Sequence, residues 1–454
     1  MFSANEINGL AYRGVELRLA TANERLFMTG NSYKYNSHES IRGNDISIAF
    51  LCCIFDKNLA EYVLKNDREF PQLAANKLGW MFIEGLEYYY KGLLSVFSVI
   101  NVSSYPNFSD YFIRQKRTVT PGGSDIYYIP YINVEFIKYI IIAISSFFML
   151  VRWTVKSNKQ RKVLIVYSMY APFPIVSQLV SLLFRVNTIL IVPDLPEYMR
   201  IGVSTPWYLK ILLNINRWQL YYLSNFFDGF VFFVESMSKK FKVIPDRFTI
   251  IEGCVDHLPD NICIKSKSST TEGERILLYA GQLSEAYGVR ILLDAFIRLN
   301  NPDYRLWICG SGPMRKEVFE YCDRDNRIKY LGLLTSDEVN DLFLNATALI
   351  NPRIGDGVYT KYSFPSKILE YLKSGRPTIV CRLEGIPKEY YNYTYLIEDE
   401  NEIGFAKIID EVLSKSDEDL TAFGYNSKKW VQENKNSVKQ TRKIINIINE
   451  IVGI

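Results

Sequence analysis

Between Arg275 and Cys381 one arrangement recurs: RILLYAG (275–281), YRLWICG (304–310), RIKYLG (327–332), ATALINP (346–352) and PTIVC (377–381). Each is a short apolar run rich in β-branched and aromatic residues. Most of them close on glycine or proline. Helix-length stretches separate them: Val289–Leu299, a segment after Pro313, Ser336–Leu344 and Ser366–Lys373. Runs such as ILLY lack in-out alternation, the pattern of strands covered on both faces. Strand and helix taking turns in this way specify βαβ units and a parallel sheet.

Upstream the same alternation appears in looser form. Strands are predicted at Ile46–Phe55, Lys162–Tyr167, Thr188–Pro193, Gly229–Val234 and Phe248–Ile251, with helices over Asn76–Gly92, Pro174–Phe184 and Pro206–Ser224. The segment EGCVDHLPDNICIKSKSSTTEGE (252–274) is polar and of low complexity, a linker by composition. Beyond Lys428 the spacing of apolar residues predicts one charged helical segment, Trp430–Ile451. With 454 residues the chain is long enough for two or three domains.

Composition narrows the function classes. A net charge of +4 is small for this length and gives no concentrated basic face for nucleic acid. Seven scattered cysteines without a CxxC pair point to a reducing compartment, not to disulfides or zinc. The two histidines, His38 and His257, leave almost no room for a histidine-based metal site or a serine-hydrolase triad. The first thirty residues mix charges with apolar positions, so no signal peptide is expected. Tyr139–Val151 (YIIIAISSFFMLV) carries no charge, but its thirteen residues fall short of the about 20 needed to span a bilayer. It reads first as a buried helix and second as an interfacial one, which gains some weight from Lys156, Lys159, Arg161 and Lys162. Trp207, Tyr208, Trp218, Tyr221 and Tyr222 share one helical stretch and read as packing residues.

The runs ILLYAGQLSEAYGVRILLDAF, LWICGSGPMRKEV, IKYLGLLTSDEVNDLF, ALINPRIGD and YSFPSKILEYLKSGRPTIV, in this order, resemble the C-terminal domain of family-4-type GT-B glycosyltransferases, the "glycosyl transferases group 1" kind. About 110 residues carry the resemblance. FVESMSKKF followed by FTIIEGCVD is similar to the closing strand and turn of that family's first domain, with Gly253, Val255 and Asp256 in the turn. The resemblance implies an α/β fold of GT-B type, two Rossmann-like domains facing across a cleft. Residues 1–255 would form the acceptor-side domain, 256–274 the linker and 275–425 the nucleotide-sugar-binding domain; 426–454 would be a helix returning to the first domain. It implies transfer of a sugar from a UDP- or GDP-type donor to a carbohydrate or lipid-linked acceptor, with retention and without metal or other cofactor. Bacterial polysaccharide biosynthesis is the natural setting, in the cytoplasm or peripherally on the inner leaflet of the membrane.

Such chemistry needs a diphosphate held, a ribose diol recognised and an anomeric carbon left open. Glycine turns and helix N-termini suit the phosphates because unpaired N–H groups face the anion. Gly281 with Gln282, and Gly310 with Gly312, match the family's two such turns. Glu370 in SFPSKILEYLKSG matches the carboxylate that accepts the ribose hydroxyls, with Ser363 or Ser366 predicted to cap its helix and Gly375 to end it. The chain departs from the pattern in three places: Tyr362 replaces the family's first Glu, and Gln282 and Tyr287 replace its diphosphate-binding Arg and Lys. A diphosphate without a cation binds poorly in a low-dielectric cleft, so Arg353, Lys361 and Lys367 are the expected replacement clamp, with Arg290 a weaker candidate. The backbone of Ser363 and Phe364 would contact the donor, and Leu331–Leu334 the base.

On the acceptor side, ILIVPDLPEYM ends a strand at Pro193-Asp194, where open α/β sheets bind ligands. Asp194 or Glu197 is the expected group that orients or deprotonates the acceptor hydroxyl. Gln72, Asn76 and Trp80 would line the acceptor cleft. Two rivals remain open at this level, a non-catalytic scaffold subunit and a nucleotide-sugar epimerase of the same architecture.

Overall fold

The computed structural model describes residues 45–68, 73–198, 207–257, 273–355 and 357–453. These fall into two compact units, one of residues 45–257, 358–364 and 433–453, the other of residues 273–357 and 365–432. His38, Gln72 and most of the expected linker lie outside the described residues.

The first unit is built on an eight-stranded sheet of order β10-β9-β8-β7-β1-β2-β5-β4. In chain order its elements are β1 (Ile46–Cys52), α1 (Lys57–Asn66), α2 (Leu73–Tyr89), β2 (Leu94–Ser98), β3 (Phe112–Ile113), β4 (Lys116–Val119), β5 (Asp125–Tyr128), β6 (Tyr131–Ile132) and α3 (Ile137–Lys156). Then follow β7 (Arg161–Tyr167), α4 (Pro172–Phe184), β8 (Asn187–Val192), α5 (Trp207–Ser224), β9 (Gly229–Phe232), α6 (Glu235–Phe241) and β10 (Phe248–Ile250). All neighbours pair in parallel except β4 against β5. β1 sits at the centre with every residue buried, which explains its unbroken apolar run.

Right-handed crossovers assign the helices to faces. β7 to β8 to β9 steps one way along the sheet, so α4 and α5 share a face; α3 packs against α4 there. β1 to β2 steps the other way and puts α2 on the opposite face.

The second unit is a six-stranded parallel sheet of order β13-β12-β11-β14-β15-β16. Its elements are β11 (Arg275–Ala280), α7 (Val289–Ile297), β12 (Tyr304–Cys309), α8 (Arg315–Arg324), β13 (Ile328–Tyr330), α9 (Ser336–Asn345), β14 (Ala348–Asn351), α10 (Lys367–Ser374), β15 (Thr378–Cys381), β16 (Tyr395–Ile397), α11 (Glu402–Leu413) and α12 (Asp417–Asn434). Thr335 and Glu338 form a reciprocal cap on α9. Under β11, the core gathers Ile276, Leu278, Phe343, Leu349 and Tyr371.

The single helical segment expected over Trp430–Ile451 is two helices. The Asn436 side chain accepts from the Lys439 N–H at 2.8 Å and starts α13 (Ser437–Val452), ending α12 just before it. In the first unit α13 packs on α2, where a Cβ at Gly85 would lie 2.0 Å from the Thr441 hydroxyl oxygen and 2.6 Å from the Ser437 carbonyl oxygen. Glycine is what lets these helices approach so closely. The Lys435 ammonium lies 3.2 Å from both Glu252 carboxylate oxygens, buried, and Ser437 N–H donates to the Val255 carbonyl at 2.9 Å.

Candidate functional site

In the second unit the strand ends are locked together by backbone. Gly310 has φ +133°, and a Cβ there would lie 1.8 Å from the Gly281 carbonyl oxygen. Gly288, at φ +74°, meets the Pro352 carbonyl oxygen in the same way, at 1.9 Å. Hydrogen bonds complete the lock: Gly281 N–H to the Cys309 carbonyl (3.0 Å), Leu283 N–H to the Ser311 carbonyl (2.8 Å), and Gly310 N–H to the Gly332 carbonyl (2.9 Å). Three turns therefore meet at one edge in direct backbone contact, and the Tyr330 hydroxyl donates to the Gly310 carbonyl at 2.8 Å. Gln282 is exposed at the top of the first, and its carbonyl accepts from the Tyr279 hydroxyl at 2.7 Å.

α10 is fixed beneath this edge. The buried Tyr371 hydroxyl lies 3.3 Å from the Ala280 N–H and 3.2 Å from its carbonyl oxygen, one residue before Gly281. That contact sets the position of Glu370, half exposed one turn into the helix and 3.6 Å from the Lys367 ammonium. Burial outweighs the positive charge of Lys367 and leaves the Cys309 thiol raised to about 11. The expected side-chain cap is not made: Ser366 is helical itself and gives no cap bond, and the first turn closes on backbone, Ile368 N–H to the Pro365 carbonyl at 2.9 Å. Gly375 ends the helix in the left-handed conformation, φ +77°.

The expected cations are differently placed. Arg353 is only 3% exposed, its guanidinium 5.6 Å from the centre of the Tyr287 ring, so it braces the turn that carries Gly288. Arg290 lines a cleft of about 460 Å³ with Gly288, Asp294, Arg298, Ile354 and Glu402, and pairs with Glu285 at 3.3 Å. Lys361, Tyr362, Ser363 and Phe364 belong to the first unit.

In that unit Tyr362 stacks on Tyr198, centroids 6.0 Å apart, and the Lys240 ammonium lies 5.2 Å from the Tyr362 ring centre. Lys240 also pairs with Glu197, which accepts a bond from the Tyr221 hydroxyl at 2.8 Å. Burial pushes the Glu197 carboxyl up, but Lys240, the local backbone and Tyr221 outweigh it and hold it below the usual range. A carboxylate so held is a poor proton acceptor. Asp194, exposed just past β8, is the better placed of the two. Lys240, which sequence reasoning missed, sits in FVESMSKKF with no spacing to mark it. Asn76 and Trp80 both grip Phe55, the Asn76 side-chain oxygen accepting its N–H at 2.9 Å and the Trp80 indole donating to its carbonyl at 3.0 Å. Among the described residues no group of three His, Cys, Asp or Glu is placed to hold a metal ion.

Residues 274–415 match the family described as glycosyl transferases group 1. No protein of curated function matches the chain in sequence. Among solved structures, the chain is similar to HepE of Anabaena in complex with UDP and glucose (12% identity, TM-score 0.55, covering 89% of this chain and 99% of that one). Sucrose-phosphate synthase of Thermosynechococcus elongatus is similar too (14%, 0.56, 90% and 99%), as is the lipopolysaccharide outer core galactosyltransferase WaaB (11%, 0.54, 88% and 99%). At such identities these likenesses show the fold. The group 1 match lies over the glycine-locked edge and Glu370, and the chain as a whole has the GT-B fold of these glycosyltransferase structures.

Proposed function

We propose that the chain transfers a sugar from a UDP- or GDP-type donor to a carbohydrate or lipid-linked acceptor in bacterial polysaccharide biosynthesis, with retention and without a bound metal. The single observation that carries the donor side is the edge where Gly281, Gly310 and Gly312 meet above α10. Glycine backbone lets a diphosphate approach closely, and Glu370 stands one turn into its helix for the ribose hydroxyls. Lys367 supplies the positive charge there; Arg353, buried against Tyr287, supports the turn and adds to the field. HepE in complex with UDP and glucose, and the galactosyltransferase WaaB, support this choice of donor class and setting.

The reaction then runs as follows. The bond between the anomeric carbon and the phosphate oxygen breaks, and the nucleoside diphosphate leaves. The acceptor oxygen bonds to the same face of the sugar, and its proton passes to the departing phosphate oxygen. Asp194 orients that hydroxyl. Charge grows on the leaving diphosphate in the transition state, so Lys367 stabilises it more than the ground state. The proposed setting is the cytoplasm, with peripheral contact at the inner leaflet of the membrane.

Isothermal titration of the full chain with UDP, GDP and their sugars tests the donor half, and nucleotide release on adding acceptor tests the transfer. Binding of a nucleoside diphosphate that Glu370→Ala weakens is the expected result. No binding of any nucleotide would overturn the reading.

A further inference from the structure

The helical layer α3, α4 and α5 has an outer surface unlike that of a solvent-facing layer. On α3, Ile140, Ile144 and Phe148 are exposed at helical spacing, Phe148 by 65%, and the stripe continues through Arg152 to Lys156. On α4, which packs against both neighbours, Leu182 is 81% exposed with Leu183 beside it. On α5, Trp207 (74%) and Trp218 (69%) stand at either end of a stripe through Ile211 and Ile215. Trp218 stacks on the exposed Tyr222, centroids 5.5 Å apart. The packing reading is thereby corrected for Trp207, Trp218 and Tyr222, while Tyr221 does pack, its ring 5.0 Å from that of Phe241: periodicity marks a face, not what covers it.

Charge on the layer has one sign. The three helices hold 20, 13 and 18 residues and contain no Asp or Glu. Arg152, Lys156, Lys210 and Arg217 are all exposed on them. We propose that this surface docks on an anionic lipid bilayer, the three helices lying in the plane of the interface. Apolar side chains enter the acyl boundary, tryptophans sit at headgroup depth and the cations meet lipid phosphates. The inference deepens the membrane contact proposed above.

Two other occupants fit less well. A second copy of the chain across a twofold axis would set cation against cation. α3 is long and apolar enough to cross a bilayer, longer than its charge-free core suggested, but its other face is committed: Ile142, Ser146, Leu150 and Trp153 are buried in the domain. Insertion would strip those contacts, so the helix lies on the membrane. Because α4 and α5 follow β7 and β8, their N-termini stand at the sheet edge that carries Asp194. A lipid-linked hydroxyl would meet that edge from the bilayer side.

Sedimentation of the purified full chain with vesicles tests the proposal. Expected is cosedimentation with mixed phosphatidylcholine–phosphatidylglycerol vesicles, weaker with pure phosphatidylcholine and falling as salt rises. Arg152→Gln and Lys210→Gln should each lower partitioning by about fivefold, and Leu182→Ser with Trp218→Ser should lower it further, with unchanged thermal unfolding and nucleotide affinity. A chain that stays in the supernatant with anionic vesicles at low salt would overturn the proposal. So would variants that bind as the parent does, or a dimer in light scattering that Trp218→Ser dissolves without any vesicle binding. Vesicle binding without nucleotide binding would leave docking standing and remove the transferase reading; the converse result would do the opposite.

Discussion

The two sheets end differently. In the second unit, glycine carbonyls and amides meet directly, with no room for a Cβ at Gly288 or Gly310. In the first, side chains hold the loops: Asn76 and Trp80 on Phe55, the Ser98 hydroxyl accepting from Ile54 N–H at 2.8 Å, and the Tyr167 hydroxyl donating to the Ala75 carbonyl at 3.1 Å. A backbone lock built on glycine leaves room for close approach, suited to a ligand part shared by all donors. A side-chain lock can be rebuilt residue by residue, which suits the half of the reaction that varies between acceptors.

Breaking the backbone lock should have the largest effect. Gly310→Ala places a Cβ on the Gly281 carbonyl at a φ that alanine adopts poorly, and should cost about 3 kcal/mol or more and abolish nucleotide binding. Thermal unfolding and calorimetry check both. Next comes Glu370→Gln, which leaves the lock intact. Loss of a charge-assisted bond should weaken donor binding about tenfold to a hundredfold, read by titration, with unfolding temperature held. In the first unit Asn76→Ala removes one acceptor from a buried N–H and should cost about 1–2 kcal/mol, leaving donor affinity alone. Equal loss of donor affinity in Asn76→Ala and Gly310→Ala would sink the contrast between the two edges.

The smallest effect concerns pH. Burial, with the Asp256 and Glu87 charges adding to it, pushes the Glu84 carboxyl up to about 7. An acid whose folded pKa is raised binds more protons folded than unfolded. Its stabilising protonated form is therefore lost as pH rises from about 4.5 through about 7. Glu84→Gln should unfold a few degrees higher than the parent at pH 8 and at nearly the same temperature at pH 4. A gap that is constant with pH would refute the assignment.

The same contrast decides what could be read from the sequence. Glycine and proline at the ends of RILLYAG and YRLWICG announce a backbone lock, so the second sheet, its turns and the Glu370 helix were legible. In the first unit the strands between Leu94 and Ile132 were missed, because β3 and β6 have two residues each and β2, β4 and β5 only four or five, too short to carry a clear periodicity. Lys240 reaches Glu197 and Tyr362 only through the fold. Ser366 resembles a cap in sequence but is itself inside the first turn. Arg353, named in sequence for the diphosphate clamp, is buried with its guanidinium over the Tyr287 ring, a contact that no spacing in the sequence announces.

Lys435 and Glu252, joined in the first unit, lie on either side of the second unit in the chain. During synthesis Glu252 therefore leaves the ribosome long before the ammonium that neutralises it. Breaking a buried pair by removing one partner is strongly destabilising, so the first unit gains its full stability only once Lys435 has been made. Residues 433–453 thus complete the first unit from beyond the second, and a chain cut short near residue 432 lacks the ammonium that pairs with Glu252.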